Sequence, residues 1–262
     1  MFSNDKLKDR IAVITGASSG IGRSTAIAMA KQRCRVALIA RNVDKLNETA
    51  EKIHQFGGEA LVCPADITHH NEVERVIKDV LLQWGCIDIL VANAGQYIRS
   101  PIKNLDMNAM MRSMVINFWG QLYAILAVLP HMLQRQEGHI IIVATVDAKK
   151  GLPLDAPYVA AKFALSGFAD VLRQELYGSG IRVTTIFPGR VDTPMIEHLK
   201  VPWISAKISA EMVANAIIRC IFKDKAEVII PPQAKLLCYL QAFSPQLADW
   251  VVRVFHLEGW ES

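Results

Sequence analysis

Residues 11–22 read Ile11-Ala12-Val13-Ile14-Thr15-Gly16-Ala17-Ser18-Ser19-Gly20-Ile21-Gly22, an apolar run of strand length that ends in a glycine-rich turn and passes straight into a segment of helical period. Near-continuous Ile, Val and Ala suit a strand covered on both faces. Glycines at the turn let the backbone bend tightly and bring N–H groups, with the positive end of the following helix, against an anion such as a pyrophosphate. Position between a first strand and a first helix is what gives this common type of turn its meaning. The spacing differs from G-x-G-x-x-G, and no Gly-Lys-Ser/Thr is present, which argues against a nucleoside-triphosphate hydrolase.

The same alternation continues outward. Strand-length apolar runs at 35–40, 60–64, 87–92, 139–144, 182–187 and 227–230 are separated by helical segments at about 20–33, 43–56, 69–84, 108–134, 156–177 and 210–223. Strict alternation predicts an α/β, doubly wound Rossmann fold with a parallel sheet of about seven strands and helices on both faces. At about 150 residues per domain the 262 residues allow one domain or two. With no Pro/Gly/Ser linker in sight, residues 1–262 are read as one nucleotide-binding domain, with 190–208 as a substrate lid and 232–262 as a C-terminal helical extension.

Apolar residues make up 52% and charged residues 21%, enough for a core and incompatible with intrinsic disorder. Twenty-nine Lys and Arg against 25 Asp and Glu leave a net charge of only +4, scattered along the chain, so nucleic acid is not an expected partner. Five isolated cysteines show no Cys-x-x-Cys, and His69 and His70 are adjacent rather than a helical turn apart; no metal is expected. The charged N-terminus lacks the apolar stretch of a signal peptide, and reduced thiols suit a cytoplasmic protein. A mean hydropathy of +0.22 leaves a membrane contact to be weighed against a large core.

At the end of the second strand, where NAD-preferring folds place an acid for the ribose 2′-hydroxyl, the chain reads Ala40-Arg41-Asn42. A guanidinium in that slot matches a 2′-phosphate and predicts NADP(H) as cofactor. Asp66 and Ile67 follow the third strand, where Asp66 is read either as a helix start or as an adenine contact. Tyr158 and Lys162 stand one helical turn apart on one face of a helix. A cation beside a phenol favours the phenolate, and such a pair can exchange a proton with a carbonyl oxygen while hydride moves at carbon.

In this company the chain resembles the short-chain dehydrogenase/reductase family. The resemblance rests on Thr15–Gly22, Asn93-Ala94-Gly95, Asn117, Tyr158 with Lys162, and Pro188-Gly189-x-Val191-x-Thr193. It implies an oxidoreductase that interconverts a ketone and a secondary alcohol, with Tyr158 as acid/base. Lys162 would bind the nicotinamide ribose and lower the tyrosine pKa, and Asn117 would hold a water of the proton relay. Gly16, Ser18, Ser19, Gly20, Ile21 and Gly22 would meet the phosphates, Asn93, Ala94 and Gly95 would pass beneath the cofactor, and Pro188, Gly189, Val191 and Thr193 would border the nicotinamide. One position departs from the pattern. Thirteen residues before Tyr158, where the family has a serine that polarises the carbonyl, stands Thr145. Its hydroxyl can still donate to an oxyanion, but the added methyl keeps open an alternative, a catalytically weakened nucleotide-sensing or scaffolding member of the fold.

Ligands of such sheets bind beyond the carboxyl ends of the strands, which gathers Gln96, Tyr97, Asp147, Leu152, Leu154 and Met195 as substrate contacts. The apolar lid suits an apolar carbonyl substrate, with Lys149, Lys150 and Lys200 as the competing signal for a carboxylate. The uncharged run from Ser113 to Gln134 is read as a buried helix, and the resemblance makes it part of a subunit contact in a homodimer or homotetramer. For the two apolar C-terminal helices, packing on the domain or a second subunit ranks first. Roofing the pocket ranks second, and a peripheral membrane contact third.

Overall fold

The computed structural model describes residues 6–261. Its elements run β1 (Ile11–Thr15), α1 (Gly20–Lys31), β2 (Arg35–Ala40), α2 (Val43–His54), β3 (Ala60–Pro64), α3 (His70–Trp84), β4 (Ile89–Ala92), α4 (Met107–Met114), α5 (Gly120–Arg135), β5 (Gly138–Val143), α6 (Ala156–Glu175) and β6 (Ile181–Pro188). Three two-residue strands follow, β7 (Val191–Asp192), β8 (Leu199–Lys200) and β9 (Ile208–Ser209). The chain ends with α7 (Ala210–Phe222), β10 (Glu227–Ile230), α8 (Ala234–Phe243), α9 (Pro245–Val254) and β11 (Trp260–Glu261).

Seven strands form one parallel sheet in the order β10-β6-β5-β4-β1-β2-β3. The doubly wound α/β fold expected from the alternation is therefore the one observed. Strand residues divide between two cores with the period of two that a pleated strand imposes. From β1, Ala12 and Ile14 enter the layer shared with α1, α2 and α7, while Ile11 and Val13 enter the layer shared with α3, α5 and α6. Ile11, Val13 and Ile14 are completely buried, each worth roughly 1.5–3 kcal/mol relative to exposure. Winding reverses direction at β1, whose neighbours are β2 and β4, and that reversal opens a crevice at the carboxyl ends.

The helix expected at 108–134 is interrupted. Between α4 and α5, Val115–Trp119 forms a π-helical turn that places Asn117 fully inside. By length and composition the stretch Met107–Arg135 could cross a membrane. In this fold its Ala124, Ile125, Val128 and Met132 are completely buried in the second core. Its other face leaves Val115, Trp119, Leu126 and Leu133 exposed.

At the opposite end of the sheet from the crevice, Asp88 precedes β4 and gathers three nitrogen donors. The Ile11 N–H donates to it at 2.8 Å, and Arg10 and Arg135 each donate at 3.0 Å. Burial works against the carboxylate, but these donors win and hold its pKa below the usual range. A depressed pKa in the folded state adds stability above the unfolded value and loses it as pH falls through the folded one. Asp88→Asn is expected to lower the unfolding free energy by about 2 kcal/mol at pH 7, with the deficit shrinking below pH 4. Urea denaturation at pH 7 and pH 3 checks this; an equal deficit at both pH values would contradict it.

Candidate active site

The carboxyl end of β1 is fastened to that of β4 by a pair of residues. Thr15 Oγ1 accepts from the Asn93 and Ala94 N–H groups at 2.9 and 3.0 Å, and Asn93 Nδ2 donates to the Thr15 carbonyl at 2.9 Å. Gly16 leaves this clamp with φ +70°, and a Cβ there would stand 2.9 Å from Ala94 Cα. Gly22 is tighter still, since its Cβ would fall 2.2 Å from the Gly16 carbonyl oxygen. Only glycine fits either place. Gly22 thus packs α1 onto the turn rather than lining the crevice, whereas Gly16, Ser18, Ser19, Gly20 and Ile21 do line it.

Ser19 caps α1 without a side-chain hydrogen bond, and no acidic residue occupies the first turn. By contrast α2 is capped by Asn42, whose Oδ1 accepts from the Lys45 N–H at 2.9 Å. The first N–H groups of α1 are thus left for an anion in the crevice, where the helix dipole favours negative charge. With glycines that admit no Cβ beneath, these residues fit the pyrophosphate of a dinucleotide.

Arg41 sits at the rim with its side chain 74% exposed, 3.7 Å from Asp66 Oδ2. Asp66 Oδ1 accepts from the Thr68 N–H and hydroxyl at 2.9 and 2.8 Å, so it shapes the entry to α3 and also lines the crevice. Ile67 lines it as well and backs onto Gly120, where a Cβ would meet Ile67 Cδ1 at 2.6 Å. The adjacent His69 and His70 pair with Glu72 and Glu74.

At the other end of the crevice stand Thr145, Asp147, Tyr158 and Lys162, with Asn93, Ala94, Gly95, Pro188, Gly189, Val191 and Thr193 around them. Thr145 lies just past the end of β5, and α6 presents Tyr158 and Lys162 from one face. Lys162 Nζ donates to the Val143 carbonyl at 2.9 Å and lies 5.9 Å from the centre of the Tyr158 ring. Burial pushes the Lys162 ammonium down to about 8. The tyrosine pKa moves opposite to expectation. Burial, followed by the Asp147 charge, pushes the phenol above its ordinary value, while a hydrogen bond with Thr145 acts the other way. A lysine committed to a backbone carbonyl does not reverse that balance.

Thr145 Oγ1 is 3.3 Å from Asp147 Oδ2 and 3.4 Å from the Pro188 carbonyl, and it accepts from the Asp147 N–H at 3.2 Å. Burial and the nearby Asp155 charge push Asp147 up to about 6, against the pull of Arg190. Asn117 is held differently from a crevice residue. Its Nδ2 donates to the Gln96 carbonyl and to Ser113 Oγ at 2.9 and 3.0 Å, and its Oδ1 accepts from the Gln96 N–H at 2.9 Å. It clamps the segment after β4 from behind.

Of the expected substrate contacts, Gln96, Tyr97, Asp147 and Met195 reach the crevice and Leu152 and Leu154 do not. Leu154 adopts φ +72° so that its carbonyl can accept from the Ser100 N–H at 2.9 Å, and that geometry takes it away from the site. Neither Lys149, Lys150 nor Lys200 lines the crevice. Lys149 pairs with Glu227 at 2.8 Å, and Lys150 pairs with Asp249 of α9. From 190–208, Met195, Ile196 and Leu199 face inward, while Trp203 is 84% exposed. The segment is tied down by β7 against β9, by β8 against β11, and by Lys207, which donates to the Ile196 and Glu197 carbonyls.

Neither C-terminal helix lines the crevice. α9 buries Ala248 and Val252; α8 buries no residue fully and rests Ala234 and Cys238 on the small cluster around Phe187. Sequence reasoning missed Arg99, Asp155 and Arg190, which stand around the tyrosines. Asp155 had a signal, since it precedes a helix; neither arginine had one.

A short chain dehydrogenase family pattern matches residues 10–201. An uncharacterized oxidoreductase of Staphylococcus epidermidis is 36% identical over 213 residues, covering 81% of this chain and 91% of that protein. The dehydrogenase/reductase SDR family protein 7-like of Drosophila melanogaster is 30% identical over 274 residues, covering 98% and 84%. Among solved structures, levodione reductase shares the fold with a TM-score of 0.81 at 23% identity, over 87% of this chain and 98% of its own. The glycine turn, the Tyr158/Lys162 pair and the matched span agree: this chain belongs to the short-chain dehydrogenase/reductase family of oxidoreductases.

Proposed function

We propose that the protein is an NADP(H)-dependent oxidoreductase that interconverts an apolar ketone and its secondary alcohol. One observation carries this reading: Thr145, Tyr158 and Lys162 converge on the same crevice that holds the open N-terminus of α1. A bound nicotinamide supplies or takes the hydride. Tyr158 gives a proton to the carbonyl oxygen in reduction and recovers it in oxidation. Burial keeps its phenol protonated near pH 7, the form that a reductase needs at the start of a turnover. Thr145 donates from its hydroxyl to the oxygen on which charge develops, and its bonds to Asp147 and Pro188 are long enough to yield to that stronger acceptor. Lys162 adds positive charge behind the tyrosine and offers its remaining N–H groups to the cofactor side.

For NADP(H), the support is the guanidinium of Arg41 at the crevice rim, in the place where an acid would exclude a phosphate. For an apolar substrate, it is the inward Met195, Ile196 and Leu199, together with the pairing of Lys149 and Lys150 elsewhere. A second copy of the chain is the natural cover for exposed Val115, Trp119, Leu126 and Leu133 and for Phe163 and Val171 of α6.

Tyr158→Phe is expected to lower kcat for ketone reduction by about 100-fold or more while leaving NADPH binding within a few-fold. Steady-state assays with a ketone panel and fluorescence titration of NADPH check both halves; wild-type turnover in the variant would refute the role. Arg41→Asp should lower the preference for NADPH over NADH by roughly 10- to 100-fold, because it replaces attraction to the 2′-phosphate with repulsion. An unchanged ratio of the two kcat/KM values would sink the phosphate assignment.

A further inference from the structure

Behind the acid/base tyrosine stands a buried chain of polar contacts that the proposed reaction does not use. The Tyr97 ring meets the Tyr158 ring edge-on, 5.2 Å between centres at 81°. Tyr97 Oη donates to Asp155 Oδ1 at 2.7 Å, and Arg99 Nε donates to the same oxygen at 2.9 Å. Asp155 is 1% exposed and Arg99 has a side chain 10% exposed, so this ion pair is shielded from water and salt.

The position of Asp155 gives the contact its weight. It occupies the N-cap of α6, the helix that carries Tyr158 three residues later, yet its carboxylate makes no capping bond. Aspartate is among the best cap residues, and a cap contributes about 1 kcal/mol to a helix. Here the carboxylate is turned away from that use and toward Tyr97 and Arg99. One residue thereby fixes both the start of the helix that bears the tyrosine and the ring that buttresses it.

Arg99 also reaches the C-terminal tail. Its Nη2 donates to the Glu258 carbonyl at 3.2 Å, and Arg190 donates through one arm to the Leu257 carbonyl and through the other to Ser205 Oγ at 2.7 Å. Two arginines, one after β4 and one after β6, therefore hold consecutive carbonyls of the tail. Beyond them Gly259 turns at φ +65°, where a Cβ would stand 2.6 Å from the Lys200 carbonyl, and Trp260–Glu261 pairs antiparallel with Leu199–Lys200. Leu199 is itself a wall of the crevice.

We propose that Arg99 and Asp155 are positioning residues for Tyr158, acting through Tyr97, and that tail residues 257–261 form a strap whose seating on Arg99 and Arg190 holds this brace and the lid together. The proposal rests on the reading of Tyr158 as the acid/base. The strap ties the substrate wall at Leu199 to the reacting phenol, so a tail that lifts loosens both. No bond to substrate or cofactor is assigned to Arg99, Asp155 or Tyr97.

Three full-length variants test it: Arg99→Met, Arg99→Lys and Gly259→Val, the last lifting the strap without altering any charge. Amide hydrogen exchange of tail peptides reads the strap directly, and kcat and KM of ketone reduction, with rescue by the lysine variant, read the brace. Arg99→Met is expected to speed tail exchange about 10-fold and to lower kcat about 10-fold with KM for NADPH nearly unchanged. Arg99→Lys should recover part of each effect, and Gly259→Val should speed exchange and lower kcat. Tail exchange in Arg99→Met and Gly259→Val no faster than in the wild type would overturn the strap whatever the turnover. Faster exchange with kcat unchanged would overturn the brace. A wild type that reduces no ketone while exchange responds as expected would count against the reading of the reaction and leave the strap standing.

Discussion

The hydrogen bonds between Thr15 and Asn93 are the constraint on which the rest of the site depends. They join the carboxyl ends of β1 and β4 at the point where the winding of the sheet reverses. With those ends fixed, the chain leaving β1 has no room for side chains at Gly16 or Gly22, and α1 starts close against the turn. The open N-terminus of α1 then faces the crevice at one end, and the segment after β4 runs beneath it toward Asn117. From the other side of that segment, β5 and α6 bring Thr145, Tyr158 and Lys162. On the proposed reading, cofactor cradle and reaction centre are thus two ends of one clamp.

Burial, more than pairing, sets the protonation of the groups around Tyr158. Lys162 is driven down to about 8, Asp147 up to about 6, and the Tyr158 phenol above its ordinary range. All three shifts disfavour isolated charge in an enclosed site. Around neutral pH this leaves a protonated phenol and a largely protonated lysine, beside an aspartate that is mostly ionised. Burial and the Asp147 charge both keep the phenol protonated, the form from which the proposed reduction starts.

Much of this was legible in the sequence because it depends on local pattern. Continuous Ile and Val marked the buried strands, the glycine turn marked the cradle, and Tyr158 with Lys162 needed only helical spacing to share a face. What escaped needed knowledge of distant partners. The π-helical turn at Val115–Trp119 carries Asn117, which bonds to Gln96, and nothing in the run from Ser113 to Gln134 announces it. Leu154 pointed at the pocket by sequence position but left it for a backbone bond to Ser100. Lys149 and Lys150 competed with the apolar reading as a signal for a carboxylate, and only the fold shows that Glu227 and Asp249, far along the chain, pair with them. Arg99 and Arg190 are unremarkable in sequence and central in space.

Transfer of deuterium from NADPH carrying two deuterium atoms at the nicotinamide C4 to a ketone, read by mass spectrometry of the product alcohol, tests the central claim most directly. The account predicts label on the carbinol carbon, one atom per NADPH consumed and independent of solvent. NADPH oxidation that leaves the alcohol unlabelled, or no turnover across a panel of apolar ketones, would contradict it.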